Sequence, residues 1–224
     1  MKVLQFSGGL DSLACLELLK DTPGLAVLTA STDGTYPERE EYLSKVEKAH
    51  PHLKFFQVKT NRKLERFGHP VDVLPTKYSL AGRLTQGSPL RYQTHIECCG
   101  RALWLPLQDA VKGLGATDVY RGQRLLDEHK APIRDGHQEG GITYHFPIEM
   151  WTREQVREFV EAKCPDLVPN YYDQEGSSRD CWDCTAYLKD NVIRIRNLSP
   201  ERFKTVSAVL NQWREDVIEE TRWQ

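Results

Sequence analysis

The sequence predicts an α/β fold with a doubly wound, mostly parallel sheet and a helical C-terminal region. Two observations lead to this prediction. Short apolar runs alternate with segments of helical periodicity in the first 60 residues, and a glycine-rich turn joins the first run to the first helix. With 224 residues, the chain has the length of one domain with a small appendage. We expect the main domain over residues 1–190 and a helical tail over 191–224, which packs on the domain or on a second subunit.

Apolar runs of strand length alternate with amphipathic segments in the order that a parallel sheet with crossover helices requires. We predict strands at residues 2–6, 25–31, 53–58 and 117–121. We predict helices at residues 11–20, 37–49 and 101–114. The periodicity is lost between residues 60 and 94 and again in a polar loop that runs to Gly141, so both stretches are expected to be irregular.

Two capping signals mark the helices of the C-terminal half. Thr152 and Gln155 form a capping-box pattern that begins a helix ending near residue 163. Ser199 and Pro200 begin a last helix. Its apolar face has to pack on the sheet or on a second subunit, and it consists of Phe203, Val206, Leu210, Trp213 and Val217.

Charge and cysteine content restrict the class of protein. The net charge is −2, which provides no overall positive field for a nucleic-acid backbone or an anionic membrane, so any anion must bind locally. The N-terminal apolar run is broken at once by polar residues, and no stretch has the length of a membrane span. We therefore expect a cytoplasmic protein with no membrane partner, in which the six cysteines are reduced and favour metal or cluster ligation over disulfides.

The loop between the first strand and the first helix has the composition of a phosphate-binding loop. It reads Ser7-Gly8-Gly9-Leu10-Asp11-Ser12. Its glycines let the backbone approach a phosphate, the helix N-terminus attracts an anion, and the two serines add hydroxyl donors. Asp11 would repel a bare phosphate, which indicates either a bound Mg²⁺ or a role at the helix cap. Asp33, after the second strand, is a second nucleotide-binding candidate, although an ordinary turn explains it equally well.

Four cysteines form two groups, Cys98-Cys99 and Cys181-Trp-Asp-Cys184. Four thiols suit either a tetrahedral zinc site or a [4Fe–4S] cluster. Adjacent cysteines on one helical turn point about 100° apart, which favours the cluster and leaves zinc as the alternative. Buried structural thiols are the simpler explanation, and Cys15 and Cys164 are expected to be of that kind.

The loop hexapeptide resembles the signature of the PP-loop ATP pyrophosphatases, which implies binding of ATP with Mg²⁺. The order of further motifs, to about Ala186, resembles that of the adenylylsulfate reductases in the phosphoadenylylsulfate reductase family. These motifs are Cys98-Cys99-Gly-Arg101, Gly122-Gln123-Arg124, Arg134, Trp151-Thr152 and Cys181-x-x-Cys184. The resemblance implies a PP-loop domain in which the four cysteines hold a [4Fe–4S] cluster.

The same resemblance suggests roles for individual residues. Asp11 and Arg124 are the expected catalytic residues. Arg124 and Arg134 are expected to contact phosphate or sulfate, and Gly122 and Gln123 are expected to belong to the same nucleotide-binding site. Other arginines are also concentrated in the middle of the chain, where each is more simply explained as a surface ion pair: Arg83, Arg91, Arg101 and Arg121.

The sequence departs from the reductases at one point. Those enzymes attack the sulfonucleotide with a cysteine in a Glu-Cys-Gly-Leu-His segment, whereas this sequence has no cysteine after Cys184. We therefore expect an ATP pyrophosphatase that adenylates an acceptor in sulfur transfer, of the nucleic-acid thiolation or phosphorothioation type. The alternatives are a reductase that forms sulfite and an inactive nucleotide-binding partner module.

The expected small-molecule partner is an adenine nucleotide: ATP, adenylylsulfate or phosphoadenylylsulfate. Three macromolecular partners are left open. One is a nucleic-acid acceptor, for which residues 59–101 offer several arginines and lysines. The others are a sulfur-donor protein and a second copy of the chain, which would pack on the helix that contains Trp213.

Overall fold

A computed structural model describes residues 1–71, 92–127, 131–169, 181–186, 193 and 195–221. The chain divides into two compact units. The first, the sheet unit, consists of Met1–Ser31, Pro37–Lys59 and Pro106–Ser178. The second, the cysteine unit, consists of Thr32–Tyr36, Thr60–Leu105 and Arg179–Gln224. The sequence-based boundary between residues 190 and 191 stays a prediction, and Arg83 and Arg91 lie outside the described residues.

The strands, in chain order, are β1 (Lys2–Gln5), β2 (Leu25–Thr32), β3 (Lys54–Thr60), β4 (His69–Val71), β5 (Tyr92–Thr94), β6 (Asp118–Arg121), β7 (Gln138–Glu139) and β8 (Ile142–His145). The helices are α1 (Leu10–Leu19), α2 (Pro37–Ala49), α3 (Leu64–Phe67), α4 (His95–Cys99), α5 (Leu105–Gly113), α6 (Arg153–Lys163) and α7 (Pro200–Thr221). A π-helical segment, Gly100–Trp104, joins α4 to α5, and a 3₁₀ turn, Pro165–Leu167, follows α6.

The sheet unit contains a six-stranded sheet with the strand order β3-β2-β1-β6-β8-β7. β1 pairs in parallel with β2 and with β6, and β6 pairs in parallel with β8. β7 pairs with β8 in the antiparallel sense. The predicted mostly parallel α/β sheet is therefore confirmed.

Both faces of this sheet are covered, because β1 and β2 have buried apolar residues on both of their sides. On one face, Leu4 and Val27 pack with Leu13 of α1 and Val156 of α6. On the other face, the core includes Val111 of α5 and apolar residues from four strands, namely Val3, Leu28, Val119, Ile142 and Tyr144. This arrangement of helices confirms the doubly wound fold.

The loop predicted to run to Gly141 contains β7 and leads directly into β8, which the sequence analysis missed. Gly140 and Gly141 join the two strands, and both have positive φ values, +58° and +79°. Glycine adopts this backbone conformation without strain, and it makes the tight turn of a β-hairpin. β8 was missed because its four residues provide too short an alternation to be distinguished from a loop.

The cysteine unit contains a small parallel sheet formed by β4 and β5. The prediction that residues 60–94 are irregular was therefore wrong at the two ends of that stretch, and residues 72–91 lie outside the described part. The helix predicted from residue 101 begins earlier, with α4. Thr94 and Glu97 form a capping box at its start, a local signal that the analysis of the sequence overlooked.

The two helices of the C-terminal half begin where the sequence predicted. α6 follows the Thr152–Gln155 capping box, in which each side chain accepts a hydrogen bond from the other residue's backbone N–H. In α7, Val206 is buried and Trp213 is partly buried, and the Tyr92 hydroxyl donates a 2.6 Å hydrogen bond to Asp216. None of the described helices combines the length and apolar character that crossing a membrane requires.

Candidate functional site

The predicted phosphate loop lies between β1 and α1 in the sheet unit. Gly8 has a φ of +83°, a left-handed conformation that glycine adopts without a steric penalty. Gly9 is the N-cap residue of α1, with extended backbone and no side-chain hydrogen bond that caps the helix. A helix N-terminus left uncapped by any side chain favours an anion, because its first amides and the helix dipole point toward that end.

The hydroxyl groups of the loop brace its backbone. Ser7 Oγ donates to Ser12 Oγ over 3.2 Å and accepts a hydrogen bond from Gly9 N over 3.3 Å. Ser12 Oγ donates to Gly9 O over 2.8 Å. These bonds fix the shape of the loop before any ligand is present, which lowers the entropic cost of binding one.

Arg39 of α2 also holds this loop, and sequence reasoning missed it. Its Nε and Nη2 donate to Ser7 O over 3.1 and 2.8 Å, and its Nη1 donates to Ala30 O over 3.2 Å. The side chain is 5% exposed. A signal for this role was available, because Arg39 lies at helical spacing from the buried residues Leu43 and Val46.

Gly122 packs against the backbone of the phosphate loop. A Cβ atom at position 122 would lie 2.6 Å from the Asp11 carbonyl carbon and 2.7 Å from Ser12 N. Such distances are too short for any side chain, so this close approach requires glycine. The structure therefore gives Gly122 a packing role beside the loop, and its predicted contact with nucleotide stays a prediction.

Arg124 lies next to Asp11 and Asp127. Its Nε is 3.0 Å from Asp11 Oδ1, and its Nη2 is 2.8 Å from Asp127 Oδ1. The Arg124 backbone N–H donates to Asp127 Oδ2 over 2.7 Å, which fixes the turn in which both residues lie. The two predicted catalytic residues, Asp11 and Arg124, are thus in direct contact. Asp127 was not predicted, and its spacing from Arg124 is too ordinary in turns to indicate a function.

The electrostatics of Asp11 reflect its burial and its contact with Arg124. Burial raises the pKa of Asp11 to about 6, although the nearby Arg124 guanidinium opposes that increase. Asp11 is inside the helix, and Gly9 occupies the N-cap position. The expected alternative role of Asp11 as a helix cap is therefore wrong. The role in binding Mg²⁺ stays a prediction.

Gln123 and Arg134, the other predicted nucleotide-binding side chains near Arg124 in sequence, each contact protein groups. The Gln123 amide donates to Ala131 O and to Ile133 O, both over 3.2 Å, and accepts from Ala131 N over 3.0 Å. It therefore organises the segment around Ala131. Arg134 is largely exposed, and its Nε donates to Glu149 over 2.6 Å. Direct contact of either side chain with a nucleotide stays a prediction.

Asp33, the remaining nucleotide-binding candidate, belongs to the cysteine unit. Its Oδ1 accepts hydrogen bonds from the Arg62 backbone N–H, over 3.0 Å, and from Arg62 Nε, over 2.9 Å. Burial alone would raise the pKa of Asp33, but these bonds outweigh that effect and hold the pKa below its ordinary value. The carboxylate is thus paired with Arg62, and its contact with a nucleotide stays a prediction.

All four candidate ligand cysteines also belong to the cysteine unit, and none of them forms a disulfide. Cys98, in the last turn of α4, and Cys181 are buried, whereas Cys99 and Cys184 are partly buried. Burial raises the pKa of Cys98 to about 11, with Arg62 opposing and Cys181 adding to the increase. Cys98 and Cys181 are therefore within electrostatic range of each other.

The chemistry of these donors suits a thiolate-bound metal or iron–sulfur centre, because four reduced thiols lie in one unit. Among the described residues, no group of three or more Cys, His, Asp or Glu side chains is arranged to hold a metal ion. An iron–sulfur or zinc centre stays a prediction.

Comparison with known protein families identifies the family of this chain. A family model described as the phosphoadenosine phosphosulfate reductase domain matches residues 2–187. The chain belongs to the phosphoadenosine phosphosulfate reductase family. The resemblance to this family seen in the motifs is therefore confirmed. None of the curated proteins compared with the chain matches it.

One solved structure supports the fold, and two others are similar to a lesser extent. A phosphoadenylyl-sulfate reductase from Candida auris, in complex with phosphate, has a TM-score of 0.51 and 19% identity, covering 81% of each chain. An NMN synthetase from Francisella tularensis has a TM-score of 0.47 and 12% identity, over 96% of this chain and 85% of that one. A predicted tRNA methyltransferase subunit from Methanocaldococcus jannaschii has a TM-score of 0.39 and 16% identity, over 90% and 91%.

Proposed function

We propose that this member of the phosphoadenosine phosphosulfate reductase family is an ATP pyrophosphatase that adenylates an acceptor during sulfur transfer. The observation that carries the proposal is the preformed phosphate loop, with an uncapped helix N-terminus at Gly9 and Arg124 in contact with Asp11. Backbone amides and one guanidinium are the groups that bind the phosphates of a nucleotide.

In the proposed reaction, an acceptor oxygen attacks the α-phosphorus of ATP. The bond from that phosphorus to the bridging oxygen breaks, and pyrophosphate leaves with the electron pair. Negative charge accumulates on the phosphoryl oxygens, where preorganised donors lower the barrier most effectively. The amides of the phosphate loop and the Arg124 guanidinium are suited to this role. A Mg²⁺ ion, held by Asp11 together with the nucleotide, would neutralise phosphate charge.

The paired state of Arg124 is consistent with this role. Asp11 and Asp127 share its guanidinium in the free protein. A phosphate group would compete with Asp11 for the guanidinium, since phosphate and carboxylate both suit its planar donor geometry. The Asp11 carboxylate released in this way would be available to the cation that accompanies the nucleotide.

The remaining described cysteines support adenylation over sulfonucleotide reduction. A reductase needs an accessible thiolate as its nucleophile. Cys15 is fully buried, and burial raises its pKa far above the ordinary value. Cys164 is 9% exposed, and burial raises its pKa to about 11. Neither thiol has the exposure or the acidity of a nucleophile. The intact phosphate loop argues against an inactive module.

We propose in addition that Cys98, Cys99, Cys181 and Cys184 hold a [4Fe–4S] cluster. The support is chemical, because four reduced thiols in one unit are the donor set that such clusters use. Anaerobic purification followed by iron, acid-labile sulfide and zinc analysis tests this directly. Four irons and four sulfides per chain would support the cluster. One zinc per chain without sulfide would contradict the cluster and support a zinc site.

The enzymatic proposal is tested by calorimetric titration of anaerobically purified protein with Mg-ATP, adenylylsulfate and phosphoadenylylsulfate in parallel. Each titration is followed by assays for pyrophosphate and sulfite, with bulk tRNA and duplex DNA as acceptor probes. Tight binding of Mg-ATP and release of pyrophosphate are expected, and an Arg124→Met variant should lose that release. Preference for a sulfonucleotide, with sulfite formed from it, would contradict the proposal and support the reductase.

A further inference from the structure

Arg62 is a buried cation in the cysteine unit that the proposed reaction does not use. Its side chain is only 4% exposed. A charge removed from water to this extent is tolerated only if it is paired and hydrogen-bonded. The segment from Asn61 to Lys63 carries no predicted site residue, so the reason for burying Arg62 has to be found in its partners.

The partners of Arg62 lie on two separate segments of the same unit. Its Nη1 and Nη2 donate to the two carboxylate oxygens of Asp183 over 2.6 and 2.9 Å. Its Nε and its backbone N–H both donate to Asp33 Oδ1. Asp183 lies between Cys181 and Cys184, and Asp33 directly follows β2. One guanidinium therefore connects the residues beside β2 to the Cys-x-x-Cys segment through a bidentate pair.

The same two segments are also joined without Arg62. Trp182 N donates to Gly34 O over 2.9 Å, and Thr35 and Cys181 form an isolated antiparallel bridge. Thr32 Oγ1 lies 3.2 Å from Cys181 Sγ. The backbone and one thiol thus attach the cysteine segment to residues 32–35, whereas the Asp183 carboxylate attaches it to Arg62.

Gly34 is adapted to this arrangement. A Cβ atom at position 34 would overlap the guanidinium group of Arg62. Only glycine leaves room for the guanidinium beside the backbone at the point where Trp182 N also bonds. An alanine could be accommodated only if Arg62 gave up its fixed position, and with it the bidentate geometry toward Asp183.

We propose that Arg62 is a positioning residue that holds the Cys181–Cys184 segment through Asp183 and thereby presents its two thiols for ligand binding. The inference rests on the proposed function in one respect, namely that these thiols bind a metal or cluster. The pairing of Arg62 with Asp183 orders the segment in the protein without that group. Arg62 therefore acts before the thiols bind and takes no part in the adenylation step.

Hydrogen exchange of the full-length apoprotein, purified with reduced thiols and without metal or nucleotide, tests this role. The diagnostic signal is the Trp182 amide, which the Gly34 carbonyl protects. We expect Arg62→Met, Asp183→Asn and Gly34→Ala each to speed its exchange at least about tenfold, since each releases the segment locally. Arg62→Lys should have a smaller effect, because lysine keeps the charge without the fork of donors.

Two controls separate local release from general destabilisation. Arg66→Met removes an exposed arginine from the neighbouring helix α3 and should leave Trp182 exchange unchanged. Amides of β1 report on the sheet unit and should exchange at their wild-type rate in every variant. If Arg62→Met does not fold, Asp183→Asn tests the role of the pair, because it keeps the volumes of both side chains.

Unchanged Trp182 exchange in Asp183→Asn and Gly34→Ala would overturn the proposal, because the backbone bonds alone would then hold the segment. The measurement uses no nucleotide and no bound metal. Faster exchange in a protein that binds no iron or zinc and releases no pyrophosphate would support the positioning role and refute the proposed function. Failure of the positioning role and failure of the proposed function therefore give different results.

Discussion

The phosphate loop of the sheet unit and the cysteine segment of the cysteine unit are fixed by different means. The loop depends on glycines, through Gly8, the Gly9 N-cap and the close approach of Gly122. The cysteine segment has backbone bonds to Gly34 and Thr35 and, in addition, the pairing of the buried Arg62 with Asp183. The charged residues beside the loop are more accessible, since Asp11 is 35% exposed and Arg62 only 4%.

This difference indicates how each region tolerates change. A site built from backbone groups is sensitive to the size of nearby residues, whereas its accessible charges contribute to ligand binding more than to folding. The charges of a buried ion pair contribute to folding more than to ligand binding, because removing one partner leaves an uncompensated charge in a poorly solvated environment. Substitutions in the phosphate loop and in the cysteine segment test this contrast.

The largest effect is expected in the cysteine unit, on stability. Arg62→Met should lower the free energy of unfolding by about 3–5 kcal/mol, because Asp183, only 14% exposed, would lose its partner. Urea unfolding followed by circular dichroism measures this change. The exposed Arg66→Met variant should change stability by less than about 0.5 kcal/mol. Equal effects of the two substitutions would show that Arg62 pairing does not stabilise the unit.

The next effect is expected on catalysis in the sheet unit. Arg124→Met should reduce the rate of pyrophosphate release about 10²–10³-fold, since it removes a donor from the charge that develops on phosphate. Its effect on unfolding should be small compared with that of Arg62→Met. Arg157, which forms an exposed pair with Glu161, provides the matched control substitution. A rate within threefold of wild type in Arg124→Met would exclude Arg124 from the reaction.

A purely steric change should also damage the phosphate loop. Gly122→Ala would force the backbone at Asp11 and Ser12 to move, and we expect the affinity for Mg-ATP to fall by about 10²-fold. Calorimetric titration measures this change. Gly113→Ala is the control, because a Cβ atom at that position meets no atom within 4 Å. Iron or zinc content should be the same in both variants. If the affinity for Mg-ATP falls only in Gly122→Ala, the damage lies in the phosphate loop.

The smallest effect concerns the ionisation of Asp11. Burial raises its pKa from 3.8 to about 6 in the folded protein, so ionisation is less favourable there than in the unfolded chain. The resulting loss of stability is absent below pH 4, develops between pH 4 and 6, and is complete above about pH 6. Asp11→Asn should therefore be more stable than wild type at pH 7.5, by about 1 kcal/mol after allowance for solvent screening.

Urea unfolding at pH 4 and pH 7.5 checks that prediction. The two proteins should be equally stable at pH 4 and should differ at pH 7.5, and the exposed Asp21→Asn variant is the control substitution. Asp11→Asn should at the same time bind Mg-ATP more weakly than wild type at pH 7.5. A loss of stability in Asp11→Asn at that pH would contradict the view that Asp11 is retained for ligand binding at some cost to folding.

The sequence by itself determined the alternation of elements in the first 60 residues and the phosphate loop between β1 and α1. Both depend on local patterns, since strand and helix periodicity and a glycine pair act over a few neighbouring residues. The same holds for the capping box at Thr152, which marks the start of α6. The family, too, follows from motifs in a fixed order along the chain.

The tertiary structure alone decided which distant residues meet. Arg39 reaches the carbonyl of Ser7, Gly122 packs against Asp11, and Arg62 joins Asp33 to Asp183. Helical spacing indicates that Arg39 is buried, but no local pattern records which partners meet, because each contact depends on how strands and loops far apart in sequence are brought side by side. Asp33 illustrates the limit, since its position after β2 indicated a ligand site but not its pairing with Arg62. Long-range side-chain pairing, unlike periodicity, leaves no trace in neighbouring residues.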